Sequence, residues 1–234
     1  TGLAATDEVL VAGRADGSEP SRLARLSLDG ELAVERSFAA FAEDAGVTAI
    51  DAEGEVAVVV GLGTDVDGFS TAWAGNLDIA SMEVSAVLPL WSGRAFDVVL
   101  HDGAAVIGGA EGLGVADEHQ RVASVALPLG VDSAIESRFE LDVPGLISKL
   151  AVEGDAWVAA GISSDSSWDY GTAVAYAGLP IVDGPLFEAS SDFGYAWAQG
   201  VACGGGACYL GGFFTVEAGL GSGARVAKVW RLGD

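Results

Sequence analysis

Basic residues are scarce in this chain. Eleven Lys and Arg stand against 34 Asp and Glu, a formal net charge of −23. Nucleic-acid binding runs on Lys and Arg displacing counterions, so this balance excludes a nucleic-acid surface and disfavours an anionic membrane. Cations, neutral sugars and basic protein surfaces remain as partners, and the charge also serves solubility alone. Lysine occurs only at Lys149 and Lys228, and asparagine only at Asn76. That profile fits a GC-rich genome and equally a salt-loving host. No apolar run reaches the eighteen or more residues of a membrane helix. The runs VAVVVG and WVAAG are strand-sized. A sustained helical period with caps is missing too, and Ala39 to Ala45 has room for one turn at most. Catalytic signatures are equally absent: there is no G-x-S-x-G, no H-E-x-x-H and no C-x-x-C-H.

Cysteine is limited to Cys203 and Cys208, separated by Gly204, Gly205, Gly206 and Ala207. Such a glycine-rich connection reads as a hairpin turn with the two Cβ atoms opposed across a strand pair, within disulfide reach. A metal pair is the alternative. It lacks a second ligand pair, since His101 and His119 belong to other parts of the sequence. A disulfide places the protein in an oxidising compartment. The chain opens at Thr1 without Met or signal peptide, which reads as a mature or trimmed exported product.

What the chain does have is a repeat. Five β-rich runs end in glycine, at Gly13, Gly61, Gly109, Gly161 and Gly212, spaced 48, 48, 52 and 51. Eleven to fifteen residues after each glycine comes a short strand with an alanine: Ala24, Ala74, Ala123, Ala175 and Ala227, spaced 50, 49, 52 and 52. Arg precedes three of these alanines by two residues, at Arg22, Arg121 and Arg225. Each unit parses into four strands joined by turns such as Asp29-Gly30, Glu53-Gly54, Asp102-Gly103 and Glu153-Gly154. A four-stranded sheet cannot cover both its faces alone, and radial packing of such sheets buries both. The expectation is an all-β, five-bladed β-propeller over 1–234, with blades at 1–43, 44–92, 93–143, 144–191 and 192–234. The fifth unit ends on its third strand, so the last blade stays three-stranded or takes its outer strand from elsewhere.

Two stretches carry a family likeness. VLVAGRADGSEPSRLARLSLDGELAVERSF resembles the short propeller repeats of secreted bacterial surface proteins, which read V-x-V-A-G and then A-R-L-x-x-D-G-x-L. ACGGGACYLGGFF resembles the related D-x-x-G-N-x-Y-V-x-G repeat, with Gly206, Tyr209 and Gly212 matching and Cys203 in the place of the Asp. The resemblance implies a secreted or surface-attached propeller with no shared enzymatic activity, and it assigns no functional residues.

Candidate chemistry sits on the loops. Asp65 and Asp67, in Thr64-Asp65-Val66-Asp67-Gly68, begin like a calcium loop, because hard cations want several carboxylate oxygens at a tight turn. Gly75 and Asn76 stand where the far end of such a loop needs its glutamate, which leaves a solvated turn as the alternative. Asp165, Trp168, Asp169 and Tyr170 set aromatics beside carboxylates, as sugar binding requires, and Trp91, Phe193 and Tyr195 are placed to join them. The alternative is that these aromatics seal the junctions between blades. With 34 acids, no spacing singles out the carboxylate pair of a glycosidase. The sequence therefore favours a non-enzymatic, exported interaction or assembly module with a protein partner or its own copies. A glycan-binding propeller is the alternative, then a propeller glycoside hydrolase. No cofactor is expected, calcium being the exception to test.

Overall fold

The structure, a computed structural model, describes residues 2–5, 8–13, 21–38, 46–64, 69–112, 118–130, 133, 135–154, 156–164, 171–178, 185–191, 194–218 and 222–232. All its regular elements are β-strands. They are β1 (Gly2–Ala5), β2 (Val9–Gly13), β3 (Ser21–Leu26), β4 (Leu32–Phe38), β5 (Gly46–Glu53), β6 (Val56–Thr64), β7 (Ser70–Asp78), β8 (Glu83–His101), β9 (Ala104–Glu111), β10 (His119–Ala126), β11 (Ile135–Glu153), β12 (Ala156–Ser164), β13 (Gly171–Ala177), β14 (Phe187–Ala189), β15 (Ala196–Gly204), β16 (Ala207–Ala218) and β17 (Ser222–Leu232). Hydrogen bonding orders them β1-β2-β3-β4, then β5 to β14 in chain order, then β15-β16-β17. The strand pairs are antiparallel meanders.

Two strands of nineteen residues, β8 and β11, run through the junctions the repeat places at 92/93 and 143/144. The last strand of one repeat and the first of the next are thus one continuous chain path. Their backbones need no turn there, because Gly93 (φ 140°) and Gly145 (φ 146°) absorb the change of direction. The hairpin turns fall where the sequence signals them. Gly30, Gly54, Gly103 and Gly154 all have positive φ, and Asp102 (φ 49°) with Gly103 (φ 73°) and Gly205 (65°) with Gly206 (80°) have the two left-handed residues of a type I′ turn.

Three of the five run-ending glycines, Gly61, Gly161 and Gly212, have a steric cause. A Cβ at Gly61 would overlap the carbonyl oxygen of Gly46, one at Gly161 that of Leu146, and one at Gly212 that of Trp197. In each case the first strand of the repeat carries a bulge nearby, between Val47 and Ala49, Ile147 and Lys149, and Ala198 and Gly200. The extra residue pushes a carbonyl toward the second strand, and only glycine leaves room for it. At two of these bulges the extra residue bears a hydroxyl. Thr48 Oγ1 donates to Ala95 O (2.7 Å), and Ser148 Oγ donates to Ala198 O (2.7 Å). Both acceptors lie just before the corresponding position of the next repeat, so the bulge joins successive repeats.

The residues divide into two compact units, Thr1–Ile107 with Ala123–Ser137, and Gly108–Val122 with Arg138–Asp234. The first holds two apolar clusters. One is built on Val58, Val60, Leu90, Trp91, Val98, Ile107 and Val125, the other on Leu10, Leu23, Ile50, Val59, Trp73 and Met82. Successive residues of β6 alternate between the two, as a strand covered on both faces must. The single asparagine acts here as a backbone surrogate: Asn76 Nδ2 donates to Leu129 O (2.6 Å), and Leu129 N–H donates to Asn76 Oδ1 (3.1 Å). The second unit has one cluster, in which Val158, Ala160, Ala173 and Ala175 meet Ala196, Ala198 and Leu210. Alanine is the commonest residue in this contact, which lets the strands approach closely.

Candidate functional site

Asp65, Asp67, Asp165, Trp168, Asp169, Tyr170 and Phe193 lie outside the described residues. Trp91 is 5% exposed, inside a core cluster of the first unit, which is the position of a sealing aromatic. Tyr195 belongs to the second unit and is partly buried. Its N–H donates to Thr215 Oγ1 (2.7 Å), and its carbonyl accepts from Thr215 N–H (2.8 Å). Among the described residues, no three His, Cys, Asp or Glu side chains are grouped to hold a metal ion.

Two polar features of the first unit have structural partners. Asp51, on β5, accepts a hydrogen bond from Leu100 N–H (2.7 Å). Burial raises its carboxyl above the usual range, and the nearby charges of Asp97 and Glu53 push the same way. An open cavity of about 510 Å³ is lined by Glu8, Arg25, Glu55 and Asp78. Arg25 pairs with Glu8 there (3.1 Å). Asp78 is held below the usual carboxylate range by the Ser81 N–H (2.7 Å) and hydroxyl (2.9 Å). In the second unit, burial pushes the Tyr176 phenol up to about 12, so it stays neutral at ordinary pH.

The sheet β15-β16-β17 is different in kind. It has three strands where β1 to β4 form four, and β17 is its edge. Its hairpin is closed by the Cys203–Cys208 disulfide, with Cα atoms 4.1 Å apart in directly opposed register. Glu153 Oε1, from the tip of the β11–β12 hairpin, accepts from Gly206 N–H (2.5 Å) and ties the two tips together.

Side chains on β17 alternate between two faces. Val226, Lys228, Trp230 and Leu232 share one. Its far end turns inward, since Leu232 is 8% exposed and Trp230 rests against Phe187 (ring centroids 5.8 Å). Arg225, Ala227, Val229 and Arg231 share the other, with Phe213 and Tyr209 across the ladder. This second face is open: Val229 is 67% exposed and Tyr209 45%. Arg225 lies over the Phe213 ring (4.8 Å), and Phe213 stacks at a tilt on Trp197 (6.2 Å). On the opposite face Lys228 sits over Phe214 (6.0 Å). The second face is thus a short aromatic floor with Arg225 resting on it, open to solvent at Tyr209 and Val229.

Of this surface, the sequence reading had noted Arg225 as a repeat position, and Tyr209 as a match to the repeat motif. Lys228, Val229 and Arg231 were read as strand only. The overlooked signal is compositional: from Ala218 to Gly233 there is no Asp or Glu, and three of the chain's eleven cations fall within 225–231.

No protein-family model matches the chain, and no curated protein matches it. Among solved structures, it is similar to an ACO/RPE65 chimera, and to a point mutant of Synechocystis apocarotenoid oxygenase. Each aligns over 98% of this chain at 13% identity, with a TM-score of 0.44. The chain spans 59% of the length of either of these structures.

Proposed function

We propose that this chain is a five-bladed β-propeller, one blade for each repeat, acting as a non-enzymatic protein-interaction or assembly module outside the cytoplasm. The observation that carries the reading is the exposed last strand. A third strand that is largely buried on β7, β10 and β13 is open on β17, with apolar, aromatic and cationic groups presented together. Isolated exposed apolar side chains are ordinary on a surface, whereas a contiguous set on a sheet edge is the usual form of a recognition surface. The Cys203–Cys208 bond supports an exported protein, because such bonds persist in oxidising compartments.

The test is a photo-crosslinking survey of the protein in its native cell-surface fraction. A crosslinking side chain is placed in turn at Leu28, Leu186, Tyr209 and Val229, all exposed. A discrete protein adduct from one position or a neighbouring pair is the expected result. Diffuse labelling, or none at any of the four, removes the interaction reading.

A further inference from the structure

We infer that the edge of β17 takes up an extended acidic segment of a partner protein, which adds to the sheet as a further strand. This rests on the interaction reading above and names its site and the chemistry of the partner.

The edge has hydrogen-bonding capacity at known positions. Thr215 N–H donates to Tyr195 O, so odd-numbered residues of β16 direct their backbone toward β15. Even-numbered ones therefore face β17. The β16–β17 register is unbroken from Cys208↔Leu232 to Ala218↔Ser222, so Val226, Lys228 and Trp230 face β16 in return. In an antiparallel ladder the intervening residues point the other way. Arg225, Ala227 and Val229 thus direct N–H and C=O away from the sheet, at a spacing an added strand would match.

Among the described residues the edge also lacks most of the usual protections. Sheet edges are commonly blunted by short length, Pro, bulges or a covering segment. β17 is eleven residues long, contains no proline and has no bulge in its register. Charge is the one protection present, and it selects. Two copies of β17 paired antiparallel about Lys228 would set Lys228 against itself and Arg225 against Arg231. Like charges directly opposite are destabilising, so a second copy is disfavoured at this edge. A strand carrying Glu or Asp at alternate positions presents those acids on one face, where Arg225 and Arg231 meet them favourably. Arg225 and Lys228 are already held over Phe213 and Phe214, so less side-chain freedom is lost on binding. Val229 and Tyr209 offer apolar contact on the same face.

The experiment uses the full chain and two capped twelve-residue peptides, one alternating Glu and Val, the other alternating Lys and Val, with binding followed by calorimetry at low salt. The acidic peptide is expected to bind and the basic one not, with affinity falling as salt rises. Val229→Pro removes one outward N–H and leaves the ladder to β16 intact, and should weaken binding at least about tenfold, the scale of a lost hydrogen bond in a desolvated site. Combined Arg225→Glu, Lys228→Glu and Arg231→Glu should reverse the peptide preference with the melting curve close to that of the parent. If the acidic peptide binds Val229→Pro and the parent equally, the edge is not the site, while the interaction reading stands on its crosslinks. If neither peptide is preferred, an acidic occupant is excluded and the cations serve as guards against edge pairing.

Discussion

Of the five alanines at one repeat position, Ala24 is half-buried and the other four behave in two ways. Ala74 on β7, Ala123 on β10 and Ala175 on β13 are fully buried, whereas Ala227 on β17 is exposed. Their local settings match closely: each lies on a third strand, and Ala74, Ala175 and Ala227 pair with the second strand of their own repeat. Among the described residues, β13 has a strand on both sides and buried residues through its centre, while β17 has a strand on one side only. An alanine in a third strand is therefore a packing requirement in one place and a surface residue in another. The same sequence position is part of a core in one sheet and of an exposed edge in the other.

Substituting both kinds of alanine tests that contrast most severely. Ala175→Asp buries a carboxylate among Val158, Ala160 and Ala173, with no counter-charge expected there, and should cost about 4 kcal/mol or more, enough to unfold much of the population. Ala227→Asp should stay within about 0.5 kcal/mol. Denaturant midpoints compare the two directly, and similar losses would mean that β17 is covered in solution.

The glycine positions show where the difference begins. Gly161→Ala and Gly212→Ala each force a Cβ onto a carbonyl of a bulged first strand and should each cost about 2–3 kcal/mol. Gly211→Ala, with nothing near its Cβ, should be close to neutral. Equal losses at Gly161 and Gly212 in chemical denaturation place β15 and β16 with the well-packed repeats and confine the departure to β17. A neutral Gly212→Ala would extend it to the whole last sheet.

Reduction of Cys203–Cys208 is the mildest of the three. The bond closes a loop already shaped by a type I′ turn, and for so short a loop the chain-entropy model gives about 2 kcal/mol. The melting temperature should fall in dithiothreitol, and the change should disappear in a Cys203→Ala, Cys208→Ala double variant. A larger loss would show that the hairpin tip, through Glu153, supports more than itself.

Much of this architecture was legible in the residues, and for stateable reasons. Glycines at Gly61, Gly161 and Gly212 recur because a bulge leaves no room for a Cβ, so steric necessity writes the repeat into the sequence. Gly30, Gly54, Gly103 and Gly154 mark turns because positive φ is costly for other residues. The cysteine spacing announced the hairpin and its disulfide. Other features had no such local signature. Trp91 read as a binding aromatic because a tryptophan in a connection looks alike whether it faces solvent or a core, and it is β8 running straight through the junction that buries it. Thr48 and Ser148 look like ordinary polar strand residues in the sequence, and it is the bulges that aim them at the next repeat.

What the sequence by itself determined is the all-β character, the repeat period, the hairpin turns and the disulfide. Each depends on interactions between residues close along the chain, or on a steric rule that applies to one residue at a time. What only the tertiary structure decided is which of five similar strands is covered and which is open. Ala175 and Ala227 have comparable neighbours in sequence, and their exposure depends on how many strands and sheets adjoin them. Burial is set by distant segments, and a repeat written in nearly the same residues cannot record it.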